Sequence, residues 1–232
     1  MQMTVRHEGK GLHSSPNVGV SGGKEEAVQI KEEIKHFLNE TLKLNLNAEK
    51  TLITHARTEK ARFLGYDIHF LHEDTKRDKR GQRIINGVIG LSVPDEKIRN
   101  KMKEYMAKGK PKYRKERTTN SDYDIISQYQ SEFRGFAQYY LLAYNAHKLS
   151  KLKRIMELSL AYTLANKHKT TANKVFKKYG AYRKIKDGEY KVLQVKVERE
   201  GKKPLEAYFL GVQDGLSKER NNTGLSCGRH YL

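Results

Sequence analysis

The chain has 232 residues, 37% apolar and 31% charged, with a formal charge of +19 and a single cysteine, Cys227. This composition allows one large or two small domains around a lean core. It is too apolar for a disordered chain and excludes an internal disulfide framework or a paired-cysteine zinc site.

No stretch approaches the roughly 20 consecutive apolar residues of a membrane span, and residues 1–23 lack the apolar core of a signal peptide. The expected protein is therefore soluble and intracellular. So large a positive excess calls for a polyanionic partner, nucleic acid before an anionic membrane surface.

Residues 1–23 are rich in Gly, Ser and His without any period, which predicts a poorly ordered start. Lys24 to Glu40 places Ala27, Ile30, Ile34, Phe37 and Leu38 at helical spacing and predicts the first helix. Thr51–Thr54 is a short β-prone run. Leu64, Tyr66, Ile68 and Phe70 alternate, as in a strand with one buried face, and a charged turn leads to a second β-prone run from Ile84 to Val93. Residues 24–93 are thus expected to form a helix on a small antiparallel sheet. Pro94, Asp95 and Glu96 suit the start of a helix carrying Ile98, Met102 and Tyr105. The basic stretch Gly109 to Asn120, around Pro111, is the expected linker and domain boundary.

Beyond it the pattern is strongly helical. Ser121 with Asp124 three residues on predicts a capped helix start, followed by the stripe Ile125, Tyr129, Phe133, Phe136 and Tyr140. A second helix, from about Leu149 to Ala165, turns Leu149, Leu152, Ile155, Met156, Leu160 and Leu164 inward. A third begins near Thr170 or Thr171, carries Val175, Phe176 and Tyr179, and stops at Gly180. Tyr190–Val197 alternates as a strand or hairpin arm, and the tail from Gly211 is expected to fray. The fold class is α+β, with a helix-on-sheet first part and a mainly helical second part.

Charge is unevenly spread. Lys24 to Lys50 holds five lysines against six glutamates, whereas Lys148 to Lys186 holds twelve basic residues and one acid, Glu157. That one-sided block is the candidate polyanion surface. Lys151, Arg154, Lys167, Lys174 and Lys178 avoid the inward helical positions. Lys167, His168 and Lys169 end a helix, where cations equally suit the negative end of the dipole. Lys177 extends the surface, and Tyr182 beside Arg183 offers a ring and a guanidinium for an unpaired base, or is an ordinary exposed loop tyrosine. Arg134, inside an apolar helix, is expected to be a buried partner of Glu132 or Glu157, with an RNA contact as the alternative. Tyr139 and Tyr140 read as core. The histidines have no metal-ligand spacing.

Several runs resemble a known family. Leu46 to His55 with Ala61 to Ile68, and the helix before them, look like the end of the palm of a group II intron reverse transcriptase. Leu91-Ser92-Val93-Pro94 with its helix resembles that family's thumb. Arg134-Gly135-Phe136-Ala137-Gln138-Tyr139-Tyr140, Asn145, and Ser159 through Lys169 are similar to its maturase domain, domain X. The resemblance covers about residues 19–211. It divides the chain into an out-of-register start (1–23), a palm remnant (24–93), a thumb-like helix and basic linker (94–120), domain X (121–211) and a tail (212–232).

The resemblance implies a protein that binds and stabilises folded group II intron RNA to assist splicing, with DNA as a further possible partner. It departs from the family where the polymerase motif belongs. Counting back from Gly19 and Val20, that place reads Leu12-His13-Ser14-Ser15, without the carboxylate pair that two-metal nucleotidyl transfer requires. The expectation is therefore a truncated, polymerase-inactive maturase with no catalytic residues, no cofactor and no metal, the family's magnesium site being missing. The alternatives are a reverse transcriptase fragment needing a complementing chain, and a non-functional remnant.

Overall fold

The computed structural model describes residues 2–4, 7–8, 17–47, 51–72, 77, 80–82, 86–185 and 188–210. The expected frayed tail, Cys227 and the Leu12–Ser15 stretch lie outside them. The molecule is α+β and divides between Pro94 and Asp95 into two compact units.

In the first unit, the strands Gln2–Thr4 (β1), His7–Glu8 (β2) and Asn17–Gly19 (β3) occupy part of the region expected to lack order. Strand β1 lies between β3 and Leu52–Thr54 (β5), and the register sets Met3 opposite both Val18 and Ile53. Strand β2 pairs with Asn45–Leu46 (β4). Short strands separated by polar residues carry little local signal, and pairing with β4 and β5, more than thirty residues away in sequence, organises them.

Helix α1 (Lys24–Leu42) opens with Glu25 and Glu26 in its first turn, where carboxylates suit the positive end of the dipole. It ends with Lys43 in the left-handed region and Leu44 N–H bonded to Leu38 O at 2.9 Å, a Schellman-type stop. Of its apolar face only Ala27 is buried, and Phe37, expected inward, is 55% exposed.

Strands Ala61–Phe63 (β6), Tyr66–His72 (β7) and Asn86–Ser92 (β8) form a separate antiparallel sheet. Leu64, expected in a strand, sits instead at the β6–β7 turn. Leu64 (φ 43°) and Gly65 (φ 77°) both hold positive φ, as a tight primed hairpin turn requires, and the Leu64 side chain points to solvent. The expected single sheet under α1 is therefore several small ones.

In the second unit, α2 (Asp95–Glu104) buries Ile98 and leads to Tyr105, which is fully buried. The segment expected as a linker is packed structure. Met106–Ala107 (β9) and Lys110–Pro111 (β10) form a hairpin, and a 3-10 turn spans Lys115–Arg117. The unit boundary falls ahead of α2, and residues 109–120 lie inside the second unit.

Helix α3 (Asp122–Tyr139) starts as its sequence predicts, with Ser121 Oγ accepting from Asp124 N–H at 3.1 Å. Ile125, Ile126, Tyr129, Phe133, Ala137 and Tyr140 are buried, while Phe136 is only half-buried and Tyr139 is exposed. Arg134 also faces solvent, contrary to expectation; the carboxylates proposed for it are held by Arg117 (Glu132) and Arg154 (Glu157).

Helix α4 (Leu149–Lys167) is the centre of the unit. Leu152, Met156, Leu160 and Leu164 are fully buried, each worth about 1.5–3 kcal/mol. Ser159, Ala161 and Thr163 are buried too, so α4 is enclosed on more than one face. Thr171 caps α5 (Ala172–Tyr179) by accepting from Lys174 N–H. Gly180 then stops the helix through extended backbone: a Cβ there would lie 2.2 Å from Phe176 O, so only glycine passes.

The chain finishes in a three-stranded meander of Gly180–Ile185 (β11), Gly188–Arg199 (β12) and Lys202–Phe209 (β13). Only its middle strand was legible in the sequence. The sheet packs on α3 through Phe133 and Phe209, whose ring centroids are 6.0 Å apart, and Leu210 N–H donates to Gln130 Oε1 at 2.8 Å.

Candidate nucleic-acid interface

Two polar clusters fix the frame that carries the basic surface. The first joins the 105–120 segment to α3 and α4. Glu132 accepts from the Tyr105 hydroxyl and from Arg117, whose guanidinium lies over the Tyr129 ring at 4.7 Å. The Tyr129 hydroxyl contacts Ser159 Oγ at 2.9 Å and Thr163 Oγ at 3.1 Å. In turn Ser159 Oγ donates to Lys112 O at 2.6 Å, and Thr163 Oγ accepts from Arg114 N–H at 3.0 Å. Burial and the bond to Glu132 push the Tyr105 phenol well above its ordinary pKa. Burial alone would raise Glu132, but the bonds from Tyr105 and Arg117 outweigh it and hold the carboxyl low. The buried arginine is tolerated because it is paired.

The second cluster centres on Asp122, in the first turn of α3. Lys167 Nζ lies 2.7 Å from Asp122 Oδ1 and donates to Asn120 O at 2.6 Å. His168 Nε2 is 2.9 Å from both carboxylate oxygens, and the Tyr179 hydroxyl donates to Oδ2 at 2.5 Å. One carboxylate thus ties the start of α3 to the ends of α4 and α5. Burial would raise its pKa, but the hydrogen bonds from Lys167, Tyr179 and His168 dominate and keep it below the usual range.

The candidate residues consequently fall into two groups. Lys167 and His168 are engaged by Asp122. Arg183 lies 4.1 Å over the Tyr208 ring and pairs with Glu206 at 3.0 Å. Arg154 pairs with Glu157 at 3.1 Å, but its side chain is 64% exposed, and such a surface pair is weak enough for a phosphate to replace it. Lys151, Lys169, Lys174 and Lys177 are exposed and have no ion-pair partner among the described residues. Lys178 lies over the neighbouring Tyr179 ring at 4.9 Å and has no ion-pair partner among the described residues.

On α5, Lys174 stands three and four positions from Lys177 and Lys178, so three like charges share one face, at a cost of roughly 0.2–0.5 kcal/mol per close pair. The helix end offsets part of this, because cations suit its negative pole. Tyr182, expected in a loop, lies in strand β11 and is 68% exposed; its register partner on β12 is Lys191, a basic neighbour that the sequence reading missed. Its place opposite Tyr182 depends on a hairpin register that no local pattern announces.

Among the described residues no three His, Cys, Asp or Glu side chains converge on a point suited to a metal ion. Nor is any helix among them long and apolar enough to cross a membrane.

A unit with a fixed frame and a basic surface on which Lys151, Lys169, Lys174 and Lys177 have no ion-pair partner among the described residues has the electrostatics of a polyanion-binding module. The model of the type II intron maturase family matches residues 87–210, more than half of the chain, and the chain belongs to that family. The group II intron-encoded protein LtrA of Lactococcus lactis subsp. cremoris is 37% identical over 170 residues, covering 68% of this chain and 28% of that protein. The putative COX1/OXI3 intron 1 protein of Saccharomyces cerevisiae is 32% identical over 180 residues, 70% of this chain and 22% of the relative. Maturase K of Palhinhaea cernua is 37% identical over 73 residues, 32% of this chain and 14% of its own length. The chain therefore spans about a quarter of the length of the first two relatives. The resemblance carried by Arg134–Tyr140 and Ser159–Lys169 is borne out, and both runs lie inside the matched region.

Proposed function

We propose that the chain binds folded group II intron RNA and stabilises it for splicing, acting as a maturase module without polymerase activity. One observation carries this reading: Lys151, Lys169, Lys174 and Lys177 are exposed and unpaired among the described residues, on a unit whose residues match the maturase family. Each phosphate they neutralise releases condensed counterions, which supplies affinity without base recognition. Tyr182 adds a ring on which an unpaired base can stack. The chemistry of splicing then belongs to the RNA, and the protein contributes no cofactor. The sequence Leu12-His13-Ser14-Ser15, where the family's paired carboxylates would stand, supports the absence of nucleotide transfer. The setting on this reading is a bacterial cytoplasm or an organelle.

The test is splicing of a group II intron precursor transcript at low magnesium, with and without the purified protein, alongside primer extension on a primed RNA template. The reading expects faster splicing, or tighter folding of the transcript, and no extension. Template-dependent extension would contradict the inactive-polymerase part. Failure to bind the transcript at all would contradict the maturase part.

A further inference from the structure

The β9–β10 turn carries a lysine where the backbone disfavours one. Lys108 has φ 48° and Gly109 φ 75°, the two left-handed positions of a tight hairpin turn that Asn-Gly or Gly-Gly ordinarily fill. A lysine there is strained, yet its side chain is exposed and makes no ion pair among the described residues. Lys103, Lys110, Lys112 and Lys115 are likewise exposed and without an ion-pair partner among the described residues, and Tyr113 beside them is 45% exposed. Five unpaired ammonium groups so close in sequence repel one another unless an anion lies against them.

These charges are held in place. Lys112 N–H donates to Tyr105 O at 2.9 Å, Ser159 Oγ to Lys112 O at 2.6 Å, and Arg114 N–H to Thr163 Oγ at 3.0 Å. The base of the hairpin is thereby fixed against the middle of α4. At 1.5 Å per residue, Ser159 lies roughly 12 Å along the axis from Lys151 and roughly 12 Å from Lys167, where α4 ends just before Lys169. The hairpin therefore stands, along that axis, between the two ends of the basic surface already described.

We propose that the β9–β10 hairpin is a second RNA-contact site, at which Lys103, Lys108, Lys110, Lys112 and Lys115 hold backbone phosphates while Tyr113 stacks on an unpaired base. The inference rests on the reading of α4 and α5 as an RNA surface and extends it to a separate element. The strain at Lys108 supplies the decisive test, because charge and backbone comfort oppose each other there.

The variants are Lys108→Gly, Lys108→Arg and the triple Lys108→Gly/Lys110→Ala/Lys112→Ala. Each is titrated with a labelled RNA stem-loop bearing an unpaired apical loop, and with a DNA stem-loop of the same sequence, at several salt concentrations. Thermal unfolding is followed in parallel by circular dichroism. Lys108→Gly keeps or raises the unfolding temperature, since glycine takes φ 48° freely, and still weakens RNA binding. Lys108→Arg retains binding. The triple variant loses about tenfold or more in RNA affinity, and its salt slope flattens by up to about one unit per lost phosphate contact.

Wild-type affinity and slope in the triple variant would overturn the proposal and leave the α4–α5 surface standing. Equal losses on the DNA stem-loop would overturn the assignment to RNA. A wild-type chain that binds neither probe would overturn both this site and the reading beneath it.

Discussion

The Tyr179 hydroxyl donates a 2.5 Å hydrogen bond to Asp122, fifty-seven residues earlier in the chain. That bond, with those of Lys167 and His168 to the same carboxylate, sets the end of α5 against the start of α3. It fixes how the lysine face of α5 is presented.

Asp122→Asn should destabilise the helical unit by about 1–3 kcal/mol, because partly buried donors lose a charged acceptor. The effect has a sign in pH. The folded pKa of Asp122 lies below its unfolded value, so its contribution is complete above the unfolded value near about 4 and is lost as pH falls through the folded one. Urea unfolding between about pH 2 and 6 should show a shallower acid limb for Asp122→Asn than for the wild type. Parallel curves would contradict the assignment.

Thr163→Val keeps the side-chain volume but removes the acceptor of Arg114 N–H and a partner of the Tyr129 hydroxyl. It should cost roughly 1–3 kcal/mol and open the 105–120 segment locally. Trypsin should then cut after Lys112 and Arg114 faster than in the wild type, where the bonds to Thr163 and Ser159 hold this segment. Equal cleavage rates would show that the segment is not held by α4.

Phe133 is buried against Phe209, whereas Phe136 is half-buried beside Tyr140. Phe133→Ala should cost about 3–5 kcal/mol and Phe136→Ala less than half as much, measured by urea unfolding followed by circular dichroism. The reverse order would place the core on the wrong side of α3.

What the sequence disclosed follows from the range of each interaction. The Ser121 cap, a threonine start of α5 at Thr170 or Thr171, the stripes of α3 and α4 and the stop at Gly180 are local, so spacing alone revealed them; the structure places the α5 cap at Thr171. The family was legible because the Arg134–Tyr140 and Ser159–Lys169 runs hold its pattern. Pairings across long stretches were hidden. Nothing near Lys167 or His168 names Asp122 as their partner, and nothing near Arg117 names Glu132. The basic 109–120 segment therefore read as a linker. Leu64 looked like a strand residue because its alternation with Tyr66 and Ile68 continues through a turn that bends at Gly65. Strands β11 and β13 went unseen because turns and lysines interrupt their apolar positions.

On the proposed reading, the cations Lys151, Lys174 and Lys177 of α4 and α5, with Lys169 in the turn between them, bind folded RNA. This claim is tested most directly by the salt dependence of RNA affinity for Lys151→Ala/Lys169→Ala/Lys174→Ala/Lys177→Ala against the wild type, with helicity followed in the same samples. These exposed side chains contribute little to folding, so helicity should be unchanged. Affinity for a folded group II intron RNA should fall by about tenfold or more, and the slope of log K against log salt should become less negative by up to about three units. Unchanged affinity and slope in a correctly folded variant would contradict the account.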